Sequence, residues 1–360
     1  MNSKNKSSSD KAFHGKFSAF KDHDESFYAN EAVKHINGEL FCEDISYKDF
    51  ENNLYKMIYH LDYPCAGPGS FPQYMVAKLA SKQVKVVLGG QGGDEIFGGY
   101  ARYLVAYLEQ CLKAAIDGTY KDGNYIVTLE SIIPNLGLLR EYKPMIKSLW
   151  KNGLFESMPS RYFSLINRSS YTDNIVNWDD LGSISAFETF KNIFDQNDIF
   201  RKESYFDKMT HFDFKTLLPS LLQVEDRMSM AHGIETRVPF LDHKIIEFAA
   251  TIPADIKFKD GKMKYLLKKT FENKIPKAIS QRRDKMGFPV PLKQWFSKEL
   301  KDFSNDILQK MESSNREYIQ KDFRKNLSDD NYSRSTWALI SLECWYQQFH
   351  DKSNDIKFKE

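Results

Sequence analysis

One stretch, Val84 to Tyr100 (VKVVLGGQGGDEIFGGY), limits what this chain can fold into more than any other. Val84, Val86, Val87 and Leu88 form a β-branched apolar run that predicts a strand buried on both faces. Gly89, Gly90, Gly92 and Gly93 then free the backbone for a sharp turn and for close approach to a ligand. Asp94 and Glu95 fall at the carboxyl end of that strand, where open α/β sheets bind ligands. The successive amides of such a turn can make an anion-binding concavity. A carboxylate beside it repels a phosphate unless Mg²⁺ bridges the two. The residues therefore suggest a phosphate-and-metal corner, with Asp94 the better metal ligand. A glycine-rich turn whose acids cap the next helix fits the same residues.

Composition excludes several classes. With 51 basic and 49 acidic residues, the formal net charge is +2, which gives no argument for a nucleic-acid partner. No apolar run is long enough to span a bilayer. Cys42, Cys65, Cys111 and Cys344 are widely spaced and form no zinc pattern, so free thiols in a reducing, cytoplasmic compartment are expected. Residues 1–11 read as a polar tail, 12–120 as the α/β part, 121–350 as a mostly helical part and 351–360 as a second polar tail.

Along the α/β part, Lys16 to Phe20 reads either as an edge strand or as a loop anchored by Phe17 and Phe20. Asp24 or Ser26 can cap a helix from Phe27 to Ile36, stopped at Asn37-Gly38, with a short strand at Glu39 to Cys42. Ser46 with Asp49 makes a capping box for a helix whose apolar stripe is Phe50, Leu54, Met57, Ile58 and Leu61. The segment Asp62 to Pro72, rich in proline and glycine, is expected to be irregular and to fold over the glycine corner. Helices at Gln73 to Ala80 and Tyr100 to Ile116 flank the strand, so a parallel sheet is the favoured architecture.

The second informative region is residues 211–295. Glu225, Asp226, Arg227, Glu235, Arg237 and Asp242 are interleaved with apolar residues. An internal salt-bridge network is the plain reading for Arg227 and Arg237, and anion binding is the functional alternative. Lys264 falls in the expected first turn of a helix, unfavourable against the dipole unless it points at an anion. Arg282, Arg283 and Lys285 form a basic loop that either borders a phosphate site or is solvated. Helices are expected at Leu300 to Lys310, Glu317 to Leu327 and Thr336 to Phe349.

VKVVLGGQGGDEIFGGYARY, LLQVEDRMSMAHGIETRVPFLDHKIIEFA, GKMKYLL and RRDKMGFPVPLKQWF resemble, in this order, four blocks of the synthetase domain of glutamine-hydrolysing asparagine synthetases. The resemblance runs from about residue 14 to 350. It implies an α/β fold, a parallel sheet of the adenine-nucleotide alpha-hydrolase-like type with a large helical C-terminal part. It implies ATP and Mg²⁺ as cofactors and an amidotransferase reaction. A carboxylate is activated as an acyl-adenylate with release of pyrophosphate, then attacked by ammonia from a glutaminase domain or subunit. It implies catalytic roles for Lys264, Asp94 and Gln91, with Asp94 on Mg²⁺, and nucleotide contacts from Leu88, Gly89, Gly90, Gly92, Gly93, Arg227 and Arg237. A homodimer is also open.

Three departures accompany the match. The glutaminase domain and its N-terminal cysteine have no counterpart here, since residue 2 is Asn. The Ser-Gly-Gly-x-Asp-Ser pyrophosphate loop of the first strand has none either, so the resemblance implies a sheet lacking its first βα unit. Asparagine-forming members carry a glutamate where this chain has Gln91, and acids where it has Tyr63 and Gly67. The acceptor is then expected to be a carboxylate other than aspartate, such as one on a surface polysaccharide, and a catalytically inactive interaction module is the other reading.

Overall fold

The computed structural model describes residues 10–65, 67–117, 129–133, 136–151, 153, 155–169, 172–182, 185–196, 205–282, 287–327 and 334–351. Strand β1 (Lys11–Lys16) leads through helix α1 (Ser26–Ile36) to strand β2 (Glu39–Asp44), which pairs with it in parallel, Lys11 opposite Glu39. Helices α2 (Tyr47–Leu61) and α3 (Ser70–Ser81) follow, then strand β3 (Val86–Leu88). Helix α4 (Gly93–Phe97) and helix α5 (Ala101–Asp117) complete the α/β part. The helical part includes α6 (Met158–Ile166), α7 (Ala186–Phe194) and the 26-residue α8 (Tyr205–Met230). Strand β4 (Glu235–Arg237) returns to pair in parallel with β3. Helices α9 (His243–Thr251), α10 (Tyr265–Thr270), α11 (Leu292–Ser297), α12 (Lys301–Ser313) and α13 (Arg334–Phe349) follow. This is an α/β architecture with two small parallel sheets and a large helical C-terminal region, the adenine-nucleotide alpha-hydrolase-like arrangement expected from the sequence.

Local signals set much of this. The Ser46 hydroxyl accepts the Asp49 amide at 3.3 Å, and Asp49 in turn accepts the Ser46 amide at 2.9 Å, so the capping box forms at α2. Its stripe of Phe50, Leu54, Met57, Ile58 and Leu61 is fully buried. Each such side chain contributes about 1.5–3 kcal/mol of transfer free energy. The stripe packs in one core with Trp295 and Phe296 of α11 and Trp337 and Ile340 of α13. Asn37, left-handed at φ 55, ends α1 as expected.

Several expectations are corrected. The first strand is Lys11–Lys16, beginning inside the expected tail; of the two readings of Lys16 to Phe20 the loop holds, anchored by Phe17 and Phe20 against Trp295. Ser70, Phe71 and Pro72 belong to α3, because proline in a first turn has no hydrogen bond to lose. Between Glu317 and Leu327 there is no α-helix, only a 3₁₀ turn at Phe323–Asn326 and a bridge from Ile319 to Val176.

The largest correction concerns β3. It is not buried on both faces: Val86 is 41% and Leu88 74% exposed. Its bonds to β4 run from Lys85, Val87 and Gly89, so the alternating backbone groups of Val86 and Leu88 face away from β4. The same alternation turns Lys11, Phe13 and Gly15 of β1 away from β2. Each sheet has two strands, and among the described residues no third strand meets either edge. Helix α3 packs on β1 and then delivers β3, and Lys11 Nζ reaches Gln83 Oε1 at 3.0 Å.

Candidate active site

The corner is built by the chain reversing twice within a few residues. The Gly89 amide donates to the Arg237 carbonyl at 2.8 Å, extending the β3–β4 ladder by one bond. Gly92 has φ +88, and a Cβ there would meet Leu241 Cδ2 at 2.2 Å, so both conformation and packing require glycine. Helix α4 then lasts five residues, and the Gly99 amide folds back on the Asp94 carbonyl at 2.9 Å.

Across this turn stands Lys264. It is not in the first turn of a helix, as the sequence suggested. It is the left-handed residue (φ 55) that caps α10, with its amide on the Gly98 carbonyl at 3.2 Å. Its ammonium lies 3.0 Å from Asp94 Oδ1, with the two side chains 30% and 23% exposed. The anion inferred for Lys264 is thus a carboxylate of the chain itself. Gly99 makes the approach possible: a Cβ there would stand 1.7 Å from Asp94 Oδ1 and 2.4 Å from Lys264 Cε. Sequence reasoning missed Gly98-Gly99, although a second glycine pair so soon after the first was the available signal.

Glu95 turns the other way. It is 2% exposed and accepts the Tyr100 hydroxyl, while burial pushes its carboxyl upward. The Arg102 guanidinium stacks 4.0 Å over Tyr100 and bonds Asp213, which also accepts the Tyr103 and Tyr162 hydroxyls. This buried network fixes α5 against α6 and α8 behind the corner.

On the other flank, Gln91 donates to Glu225 Oε2 at 2.6 Å, and Gln73 of α3 donates to the same oxygen at 3.2 Å. Burial pushes the Glu225 carboxyl upward. Gln73 follows directly on the proline-rich loop, so the loop's exit lies beside the corner as expected. Sequence reasoning named Glu225 only as one of several acids.

Arg227 and Arg237 do not form an internal network. Arg227 lies 3.9 Å from Asp62, and Arg237 bonds Glu235 at 2.8 Å, all four side chains being 45% or more exposed. Each is exposed to solvent, where its charge needs no buried partner. Arg282 pairs with Glu25 and stacks 4.0 Å over Tyr28 on α1. Arg283 and Lys285 lie outside the described residues.

Among the described residues no group of three His, Cys, Asp or Glu could hold a metal. The donor set does not fit an ion caged by protein. A Mg²⁺ brought by a phosphate would need only one carboxylate from the chain, and Asp94 is the residue that would hold it.

Glycine turn, parallel strands and a lysine–aspartate pair at the strand's carboxyl end define an α/β protein of the adenine-nucleotide alpha-hydrolase-like type. The chain belongs to the asparagine synthase family, whose model matches residues 2–347. It is 30% identical over 328 residues to asparagine synthetase [glutamine-hydrolyzing] 1 of Bacillus subtilis, covering 88% of this chain and 49% of that protein. A putative asparagine synthetase [glutamine-hydrolyzing] of Mycobacterium tuberculosis is 27% identical over 339 residues, covering 88% and 48%. A shorter match, 42% identical over 78 residues, is to the asparagine synthetase [glutamine-hydrolyzing] of Gallus gallus, covering 20% of this chain and 14% of that protein. The chain spans about half the length of the first two relatives. No described helix is long and apolar enough to cross a membrane.

Proposed function

We propose that this chain carries the synthetase site of an ATP-dependent amidotransferase, which activates a carboxylate as an acyl-adenylate and lets ammonia displace AMP. The observation that carries this reading is the Asp94–Lys264 pair, closed over Gly99 at the end of β3. Adenylation gathers negative charge on the α-phosphoryl oxygens and on the departing pyrophosphate. Lys264 would leave Asp94 to meet that charge, and Asp94 would hold the accompanying metal. Mg²⁺ would supply Lewis-acid neutralisation of the phosphate oxygens. The amides of Gly89 to Gly93 line the turn beneath, and the exposed Leu88, Arg227 and Arg237 border the nucleotide.

The open edges of β1 and β3 support a second part of the reading: a further parallel strand completes the sheet between them and brings the remaining phosphate-binding turn. A glutaminase component supplies ammonia. Both would come from other polypeptide, whether in the same protein or a partner. Gln91, Tyr63 and Gly67 favour an acceptor other than aspartate, for which a polysaccharide carboxylate is the candidate class.

The test is pyrophosphate release with ATP, Mg²⁺, ammonia and a panel of carboxylic acids, with the completing polypeptide supplied. Release that depends on one acid supports the reading. No release with any acid would overturn it in favour of an inactive interaction module.

A further inference from the structure

Glu225 is half-buried, and among the described residues no cation pairs with it. Arg227, two residues along α8, faces Asp62 instead, as a separation of two on a helix requires. A desolvated carboxylate without a counter-charge is costly, and such groups concentrate at functional sites. Its neighbours are arranged for that ligand. Because an ionised carboxylate only accepts, it fixes both glutamine amides with their N–H groups toward it. The Oε1 atoms of Gln73 and Gln91 are consequently turned away from the Glu225 oxygen, that of Gln91 lying against Gly89. Both are buried and accept no hydrogen bond from a described residue. Since both amide nitrogens converge on one Glu225 oxygen, the two carbonyls lie close to the same carboxylate. The cluster presents acceptors from α3, α8 and the glycine corner. A small cation with several N–H donors satisfies it, and a phosphate does not.

We propose that Glu225, held by Gln73 and Gln91, is the ammonium-binding carboxylate of this corner and takes the proton released when ammonia attacks the activated acid. The second half rests on the adenylation reading above. The bound ammonium first loses one proton to water, and the ammonia nitrogen then forms a bond to the acyl carbon. The bond from that carbon to the phosphate oxygen breaks, and AMP leaves with the electron pair. The surplus nitrogen-bound proton passes to the Glu225 carboxylate, leaving a neutral amide. Burial makes Glu225 a better proton acceptor than an ordinary glutamate. Gln91 acts as a positioning residue here, its amide orienting the base.

Two measurements on the full chain test this. In the first, the side-chain amide resonances of Gln73 and Gln91 are followed by NMR during titration with ammonium chloride or tetramethylammonium chloride. Ammonium alone should shift them, and Glu225→Gln, which keeps the shape, should weaken the response at least tenfold. Equal responses to both salts, or an unchanged response in E225Q, would overturn the site. In the second, with the completing polypeptide present, E225Q should lower ammonia-dependent amide formation about 100-fold more than ATP–pyrophosphate exchange. E225D should restore part of it with a shifted pH profile. Equal losses in the two assays would remove the catalytic role. If wild-type exchange is absent while ammonium binding depends on Glu225, the adenylation reading fails and the ammonium site stands.

Discussion

Asp94 and Lys264 meet at 3.0 Å only because Gly99, which lies between them, has no side chain. Gly99→Ala would place a methyl group within bonding distance of the carboxylate and against the lysine stem. This substitution should part the pair and lower pyrophosphate release by roughly 100-fold or more, the range seen when one charge-stabilising group is lost. Lys264→Ala should cost a similar factor while changing the melting temperature less than G99A, since a third-exposed pair adds little stability. Steady-state rates and thermal melts of the two variants check both statements.

Arg161 donates to Glu109 at 2.8 and 2.6 Å, and both residues are 1% exposed. Glu109→Ala should destabilise the fold by about 3–5 kcal/mol, because it leaves a buried guanidinium without its partner. Replacing both residues by well-packed apolar ones should recover most of that loss. Chemical denaturation of the single and double variants is the measurement.

The His232 ring packs tilted against Tyr74, centroids 4.4 Å apart, and burial, helped by Lys78 and His60, pushes its imidazole down to about 4. A base held below its unfolded value of 6.5 favours folding in its neutral form. Its contribution is present above pH 6.5 and is lost progressively between about 6.5 and 4. For a half-buried ring the loss is on the order of 1–2 kcal/mol after screening. Melting temperature across this window should fall less steeply in His232→Asn than in the wild type.

Ser46→Ala removes one side of the α2 capping box and should cost about 1 kcal/mol. Urea unfolding of S46A should show this loss with an unchanged denaturant slope.

Where a feature depends on neighbours in sequence, the chain could be read directly. The Ser46–Asp49 cap, the α2 stripe, the left-handed stop at Asn37 and the glycine corner all follow from spacing and backbone chemistry. Contacts between distant segments were another matter. Lys264 was legible as a lysine in want of an anion, but nothing local named Asp94 as that anion. The apolar run of β3 read as buried because apolar β-branched residues are scored for burial. Whether Leu88 is covered depends on what lies beside it, and here it is exposed. Glu225 looked like one acid among several. Its link to Gln91 spans 134 residues, and only the return of β4 to β3 brings the two together.

The corner at Asp94 is tested most directly by equilibrium binding of Mg²⁺-pyrophosphate to the chain, measured by calorimetry for the wild type, Asp94→Asn and K264A. The account predicts binding that needs Mg²⁺ and weakens at least tenfold in both variants, a loss of about 1.4 kcal/mol or more. Binding that is independent of Mg²⁺, or unchanged by D94N and K264A, would contradict it.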